Sequence, residues 1–273
     1  MQKFKKSGLR IMMISILGLC IFDFAHATSS THIWAPSTDI QPYKKIHVTA
    51  DTYAPTTGKG TNADNYDQHN YVQQVYGLTF SLLSDKPQEN LLGKAWKPLG
   101  KVMAETGFDY KKGFGSFYDS TPWYFHFKFG LPEDAYFKNM PAFAVGSYDM
   151  GTRSHRTDYN VWYFKGAKTI SLGKFNLGSF SAGYFNGNGR LLRDKNGLRD
   201  NNGPLFCWER TMSEISDRLW LAVDYQGTQS SYGALNFGLA WKFTNNVSAI
   251  LAYDSYNNPN SKGTITFQLD IDF

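Results

Sequence analysis

The chain has 273 residues and a formal net charge of +5, with 42% hydrophobic and 16% aromatic residues. So small a charge on a chain of this length gives no strongly basic surface, and composition therefore excludes nucleic acid as an expected partner. Of the two cysteines, Cys20 lies in the leader predicted below, which leaves Cys207 without a partner for an internal disulfide.

The first 27 residues have the composition of a secretory leader. Four basic residues come first, an apolar run follows at 11–22, and Ala25 and Ala27 supply the small residues expected at a cleavage site. The apolar run is shorter than the roughly 20 residues that a spanning helix needs. We predict a signal peptide at 1–27 and one mature domain at 28–273, which carries 24 basic and 22 acidic residues and a net charge of +2.

Stretches in which large apolar residues alternate with polar ones recur along the mature chain. Side chains in a strand have a period of two, so each stretch predicts a strand with one apolar face. The clearest stretches are 46–51, 76–82, 102–109, 123–129, 219–226, 234–243, 247–254 and 264–273. Segments at 141–150, 159–170, 174–186 and 204–213 alternate poorly, and Ile250 interrupts an otherwise regular pattern. Together they predict an all-β fold of about 12 strands, within a range of about 10–14.

The chain ends on an alternating strand with the apolar face Ile265, Phe267, Leu269, Ile271 and Phe273. The outside of a barrel strand in lipid needs such a face. This ending resembles the C-terminal signature of bacterial outer-membrane β-barrel proteins, in which the assembly machinery reads a terminal aromatic residue. The resemblance implies a transmembrane antiparallel up-and-down β-barrel in the bacterial outer membrane, with Phe267, Leu269, Ile271 and Phe273 as its assembly signal. Gln268 departs from the pattern, since glycine is common there. A secreted soluble β-sandwich or lipocalin-like barrel is the alternative, and would turn its apolar face inward.

The links between strands give a second view of the topology. With both termini in the periplasm, odd-numbered links face outward and should be the longer ones. The links near 54–70 and 186–204 fit this pattern, and the inward links near Ser213 and Thr244 are tight. The stretch 84–98 is long where a short turn is expected, which indicates either a small periplasmic element or a wrong strand count.

The polar faces of the strands should point into the lumen. The candidate lumen and selectivity residues are His47, Asp51, Glu105, Asp109, His126, Lys128, Asp224, Asn236, Lys242, Asp254 and Asp270. Their mixed charges have two interpretations: they satisfy one another as buried salt bridges, or they line a solute pathway and set its selectivity. In the second case the late-strand acids, Asp224, Asp254, Asp270 and Asp272, would form a cation-favouring wall.

The sequence contains no recognisable catalytic or metal motif. Outer-membrane phospholipases carry a His and a Ser two residues apart on one strand, whereas His126 is followed at that spacing by Lys128 and His47 by Thr49. The loop 194–203 lacks the spacing and the final glutamate of an EF-hand. We predict no catalytic residue, no metal and no cofactor.

The leading functional prediction is a narrow, porin-like channel for passive passage of small polar solutes or ions. The first alternative is a closed barrel with a structural or surface-interaction role through its outer loops, and the second is an outer-membrane hydrolase. The expected partners are outer-membrane lipid and lipopolysaccharide. The basic residues at 190–199 could lie against its phosphates, but a charged outer loop in solvent is the preferred interpretation of them. The barrel-assembly machinery is a further expected partner during biogenesis, and a channel would also bind a small polar solute.

Overall fold

The computed structural model describes residues 30–56, 68–113 and 120–273. The predicted leader, with Ala25 and Ala27, and most of the predicted link at 54–70 lie outside these residues. Twelve antiparallel strands form a closed barrel in which each strand pairs with its sequence neighbours and the first pairs with the last, so the predicted fold class is confirmed. The strands are β1 (Ile46–Pro55), β2 (Gln73–Leu83), β3 (Met103–Lys112), β4 (Trp123–Leu131), β5 (Ala142–Gly151), β6 (Asp158–Leu172), β7 (Phe175–Asn186), β8 (Asn202–Thr211), β9 (Leu219–Gln226), β10 (Ala234–Lys242), β11 (Val247–Tyr256) and β12 (Thr264–Asp272).

The outer surface of the barrel is apolar, as alternation predicts. In β12, Ile265 and Phe267 are about half exposed, while Thr264 and Thr266, which alternate with them, are fully buried. Phe267 lies opposite Leu251 of β11, and both side chains contribute to the exposed belt. No helix of the described residues is long and apolar enough to cross a bilayer.

The start of β1 and the end of β12 lie at one end of the barrel, which we call the termini end, and the opposite end is called the far end. At the termini end the long link at 84–102 folds into a short helix α1 (Leu91–Ala95) followed by a 3-10 turn at Lys97–Lys101. Asn90 begins α1 by accepting from the backbone N–H groups of Leu92 and Gly93, at 2.9 and 3.2 Å. The unexpectedly long stretch near 84–98 is therefore a small folded element, and the strand count holds.

The four poorly alternating segments are strands β5 to β8. The register of β4 with β5 shifts between Phe125 and Phe127, and that of β5 with β6 shifts between Tyr148 and Met150. Asp149, at the second shift, has a positive φ of 52°. A bulge adds one unpaired residue and moves the following side chains to the opposite face, which explains why simple alternation is weak there.

The inside of the barrel contains a piece of its own chain. Residues 30–41, which we call the inner segment, fold back on themselves through a tight turn at 32–35 that points toward the far end, and then lead to the start of β1. The turn is closed by His32 N–H donating to the Ala35 carbonyl at 2.9 Å and by Ser37 N–H donating to the Ser30 carbonyl at 3.1 Å. Ile33 and Ala35 are at most 1% exposed. The sequence pattern did not predict this element, because it has neither strand alternation nor helical periodicity.

Candidate functional site

The turn of the inner segment is bound by one carboxylate of the barrel wall. Asp224 Oδ2 accepts three successive backbone N–H groups, from Ile33, Trp34 and Ala35, at 2.8, 2.9 and 3.1 Å. The other oxygen, Oδ1, accepts from Asn236 Nδ2 on the neighbouring strand at 2.5 Å. Consecutive backbone N–H groups that converge in this way form an anion-binding concavity. Asp224 is therefore used in binding the segment.

An apolar patch on the inner wall packs against the same turn. Ile33 is in one buried cluster with the inward-facing residues Trp220, Ala222, Ala240, Ile250 and Ala252. A Cβ added at Gly238 would lie only 2.8 Å from Ile33 Cδ1, so a larger residue there would displace the turn. Ile250, which interrupts the alternation of its strand, faces inward and is fully buried against the turn.

Two lysines and one glutamate bind the remaining backbone of the inner segment. Lys128 Nζ lies 3.1 Å from Glu105 Oε1 and donates to the carbonyl oxygens of Ser30, at 3.2 Å, and Asp39. Glu105 Oε2 accepts the backbone N–H of Gln41 at 2.6 Å. Lys165 Nζ, fully buried, donates to the Pro36 carbonyl at 2.9 Å. Each of these charges is thereby compensated by a hydrogen bond or an opposite charge.

Aromatic rings close around Trp34 at the far end. The indole makes edge contacts with Tyr53, His69, Tyr232 and Tyr256, with ring centroids 5.6 to 6.5 Å apart. Its Nε1 donates to the Tyr232 carbonyl at 3.2 Å. Burial, together with nearby Asp149, raises the pKa of the Tyr232 phenol well above its usual value, so this hydroxyl stays protonated and donates to Asp149.

A cavity of about 160 Å³, lined by charged, hydroxylated and aromatic side chains, lies between the inner segment and one side of the barrel. Its strand lining comes from β1 to β6 and Gln268 of β12, and extends from His47 near the termini end to Tyr53 near the far end. Among the described residues, none of β7 to β11 lines it. Lys111 pairs with Asp149 across this cavity. Asp51 accepts from Thr49 Oγ1 at 2.5 Å and has no lysine or arginine partner among the described residues.

His126 lies in the same cavity between a hydroxyl and a carboxylate. Its Nε2 is 2.9 Å from Thr79 Oγ1, and its Nδ1 is 3.9 Å from Asp109 Oδ2. Gly107 makes room for the ring, since a Cβ there would lie 2.5 Å from His126 Nε2. The gap of 3.9 Å exceeds hydrogen-bond distance, so the carboxylate does not orient the imidazole as in a catalytic triad. Among the described residues, no group of three or more potential ligands could hold a metal ion.

The predicted lumen residues divide between the two environments. His47, Asp51, Glu105, Asp109, His126 and Lys128 line the cavity. Asp224 and Asn236 bind the inner segment or each other, and Asp254 accepts from the hydroxyls of Thr264 and Thr266. Asp270 lies 3.2 Å from His47, and Lys242 ends β10 in a half-buried position. The acids of the late strands are thus engaged within the protein.

Several residues of the lumen were missed by sequence reasoning. Apart from the inner segment itself, they are Lys111, Tyr148, Asp149, Tyr163, Lys165 and Tyr232. Most lie on β5 and β6, where bulges obscure the inward face, and Tyr232 lies in a link. One signal was present in the sequence: Trp220, Ala222, Ala240 and Ile250 place apolar side chains on a face that a water-filled lumen would leave polar.

Comparisons with solved structures find similar barrels at low sequence identity. A KdgM porin is similar over 84% of this chain and 98% of that chain, with 7% identity and a TM-score of 0.48. An outer-membrane channel from Pseudomonas putida F1 is similar over 86% and 97%, with 10% identity and a TM-score of 0.41. Outer membrane phospholipase A from Escherichia coli is similar over 85% and 94%, with 12% identity and a TM-score of 0.43. No protein-family model and no curated protein matches the sequence.

These likenesses concern the fold alone, because the identities are low and both channels and an enzyme are among the similar structures. A location follows from the barrel's own surface. Only a bilayer covers a continuous belt of exposed Phe, Trp, Leu and Ile side chains around a barrel that has no free edge. A closed barrel with such a belt is the architecture of bacterial outer-membrane proteins, and the chain is a β-barrel of the outer membrane.

Proposed function

We propose that the protein is a narrow channel for small polar solutes or ions, with a preference for cations. The observation that carries this proposal is the charged cavity beside the inner segment. Its volume of about 160 Å³ far exceeds the about 10–15 Å³ that one water needs. Because its lining extends along most of β1 and carries charged side chains, the cavity offers a route past the inner segment.

The preference for cations is inferred from two carboxyl groups on the cavity wall that have no basic partner among the described residues, and it applies at a pH at which they are ionised. Glu105 pairs with Lys128 and Lys111 pairs with Asp149, so these four side chains contribute little net field. Asp51 and Asp109 also line the cavity, and neither has a lysine or arginine within ion-pairing distance among the described residues. Carboxylates in a narrow lumen favour cations over anions.

The test is single-channel recording of the refolded protein in a planar bilayer under a salt gradient. We expect stable openings with a cation-selective reversal potential. Asp51→Asn and Asp109→Asn should each lower the cation-to-anion permeability ratio about twofold, since each removes one lining charge. Asp217→Asn, an exposed acid in the link after β8, is the matched control and should leave the ratio unchanged.

A second function, the closed barrel with a structural role, is favoured by the inner segment, which fills the other side of the lumen. The same recordings separate the two. A folded barrel that never conducts, in the wild type or in either variant, would contradict the channel proposal and favour the closed barrel. We do not propose the outer-membrane hydrolase, because His126 has no hydrogen-bonded carboxylate among the described residues, the Asp109 carboxylate lying 3.9 Å from it.

A further inference from the structure

We propose that the inner wall of the barrel is a peptide-binding site and that the inner segment is its tethered, releasable ligand. In this proposal the segment leaves the site through the termini end and so opens the full lumen. The proposal rests on the channel function above, which it extends with a gate. The chemical class of the ligand is a short peptide turn, bound through its backbone groups.

The first argument is that the wall recognises the segment with side chains. Asp224 accepts three of its N–H groups, Gln268 Nε2 donates to the Ile33 carbonyl at 2.9 Å, and Lys165 donates to the Pro36 carbonyl. Among the described residues, the one β-bridge in which the segment takes part joins its own Thr31 and Pro36. The segment is therefore bound as a ligand would be and is no strand of the sheet.

The second argument is that the barrel does not need the segment to remain closed. The ladder from β1 through β12 is complete without residues 30–41, because β1 pairs directly with β2 and β12. Release would expose Asp224, Glu105, Lys128 and Lys165 to the water of an open lumen, where charged groups are readily solvated. The apolar cost of release is that Ile33 and Ala35 leave their buried clusters and Trp34 leaves the aromatic rings around it.

The third argument concerns reach. Residues 36–45 connect the turn to β1 and, when extended, span on the order of 35 Å, about the length of a barrel strand of ten residues. Gln41 already contacts Asp272 at the termini end, with Nε2 to Oδ1 at 3.1 Å. The chain can therefore withdraw through that end without moving any strand.

A reversible cross-link tests the proposal in the full chain. The Cβ of a residue at 238 would lie 2.9 Å from Ile33 Cγ1, so the Cβ atoms at 33 and 238 are no more than about 4.4 Å apart, within disulfide range. We would make Ile33→Cys/Gly238→Cys in a Cys207→Ser background. The oxidised protein should show only the small conductance of the cavity, and reduction should restore a second, larger level. If the protein with a verified disulfide and the fully reduced protein show the same conductance levels, the gate proposal is wrong.

A second measurement does not depend on conductance. Ala35→Cys, also in the Cys207→Ser background, places a thiol at a fully buried position of the turn, so a water-soluble maleimide reacts with it only after release. Adding Asp224→Asn removes the charge that binds three N–H groups and should speed labelling about tenfold. Asp254→Asn, on the same inner face and bound to Thr264 and Thr266, is the matched control and should have no effect.

The two measurements separate failure of the gate from failure of the channel. Labelling that stays at the rate of global unfolding, with or without Asp224→Asn, would show that the segment is a fixed part of the barrel. Labelling accelerated by Asp224→Asn in a protein that never conducts would retain the peptide site and reject the channel.

Discussion

The inward side chains of the wall formed by β1 to β6 and of the wall formed by β8 to β12 lie in different environments. The first wall borders the cavity, and the second packs against the inner segment. On β9 to β11 the inward residues Ala222, Ala240 and Ile250 pack against the inner segment, with Asp224 binding its turn. On β1 to β4 the inward residues are mostly charged or hydroxylated and border a cavity. An inward polar residue can thus face either water or peptide, and alternation alone does not distinguish them.

The largest effect is expected from breaking the buried ion pair at the base of the cavity. Lys128 and Glu105 are both at most 2% exposed. Lys128→Met leaves Glu105 charged and buried, with its hydrogen bonds from Ser30 and Gln41 but without an oppositely charged partner. This change should cost about 3–5 kcal/mol in the free energy of unfolding. Denaturant titration of the barrel in lipid vesicles measures this loss.

The control is a lysine pair at the barrel surface. Lys168 lies 2.7 Å from Glu133 Oε2 and is solvent-exposed, so Lys168→Met should leave the free energy of unfolding almost unchanged. Glu105→Gln/Lys128→Met, which removes both charges, should recover part of the loss. Equal costs for the two lysine variants would mean that the cavity wall is as well solvated as the barrel surface.

The sequence predicts the barrel well because the outward face of every strand contacts the same uniform solvent, the hydrocarbon of the bilayer. Phe267 and Leu251 need only hydrocarbon outside, so a period of two suffices. The inner face, by contrast, contacts a specific partner, the inner segment. Asp224 looked like a pore acid, and the N–H groups that it binds belong to residues about 190 positions away, whose sequence carries no pattern for that interaction. Ile250 interrupts the alternation of β11 because it faces inward and packs in one cluster with Ile33 of the inner segment.

The next prediction compares apolar residues on the two walls. Ile250→Ala should cost about 2–4 kcal/mol, because the side chain is fully buried against the turn and its removal leaves a cavity. Val75 on β2 borders an existing cavity, so Val75→Ala should cost only about 1 kcal/mol. Both values come from the same denaturant titration. Similar costs would indicate that both walls are packed to the same density.

The smallest effect is expected from filling space on the cavity wall. A Cβ at Gly107 would lie 2.0 Å from the Leu78 carbonyl oxygen of the neighbouring strand and 2.5 Å from His126 Nε2. The imidazole can rotate away, but the backbone oxygen cannot without separating β2 from β3, so Gly107→Ala should cost about 1–3 kcal/mol. Gly166→Ala is the control, since its nearest neighbour would be a ring carbon of Phe143 at 3.4 Å, and it should be close to neutral. If Gly107→Ala is equally neutral, the cavity wall tolerates added volume, and its glycine is not needed to seat His126.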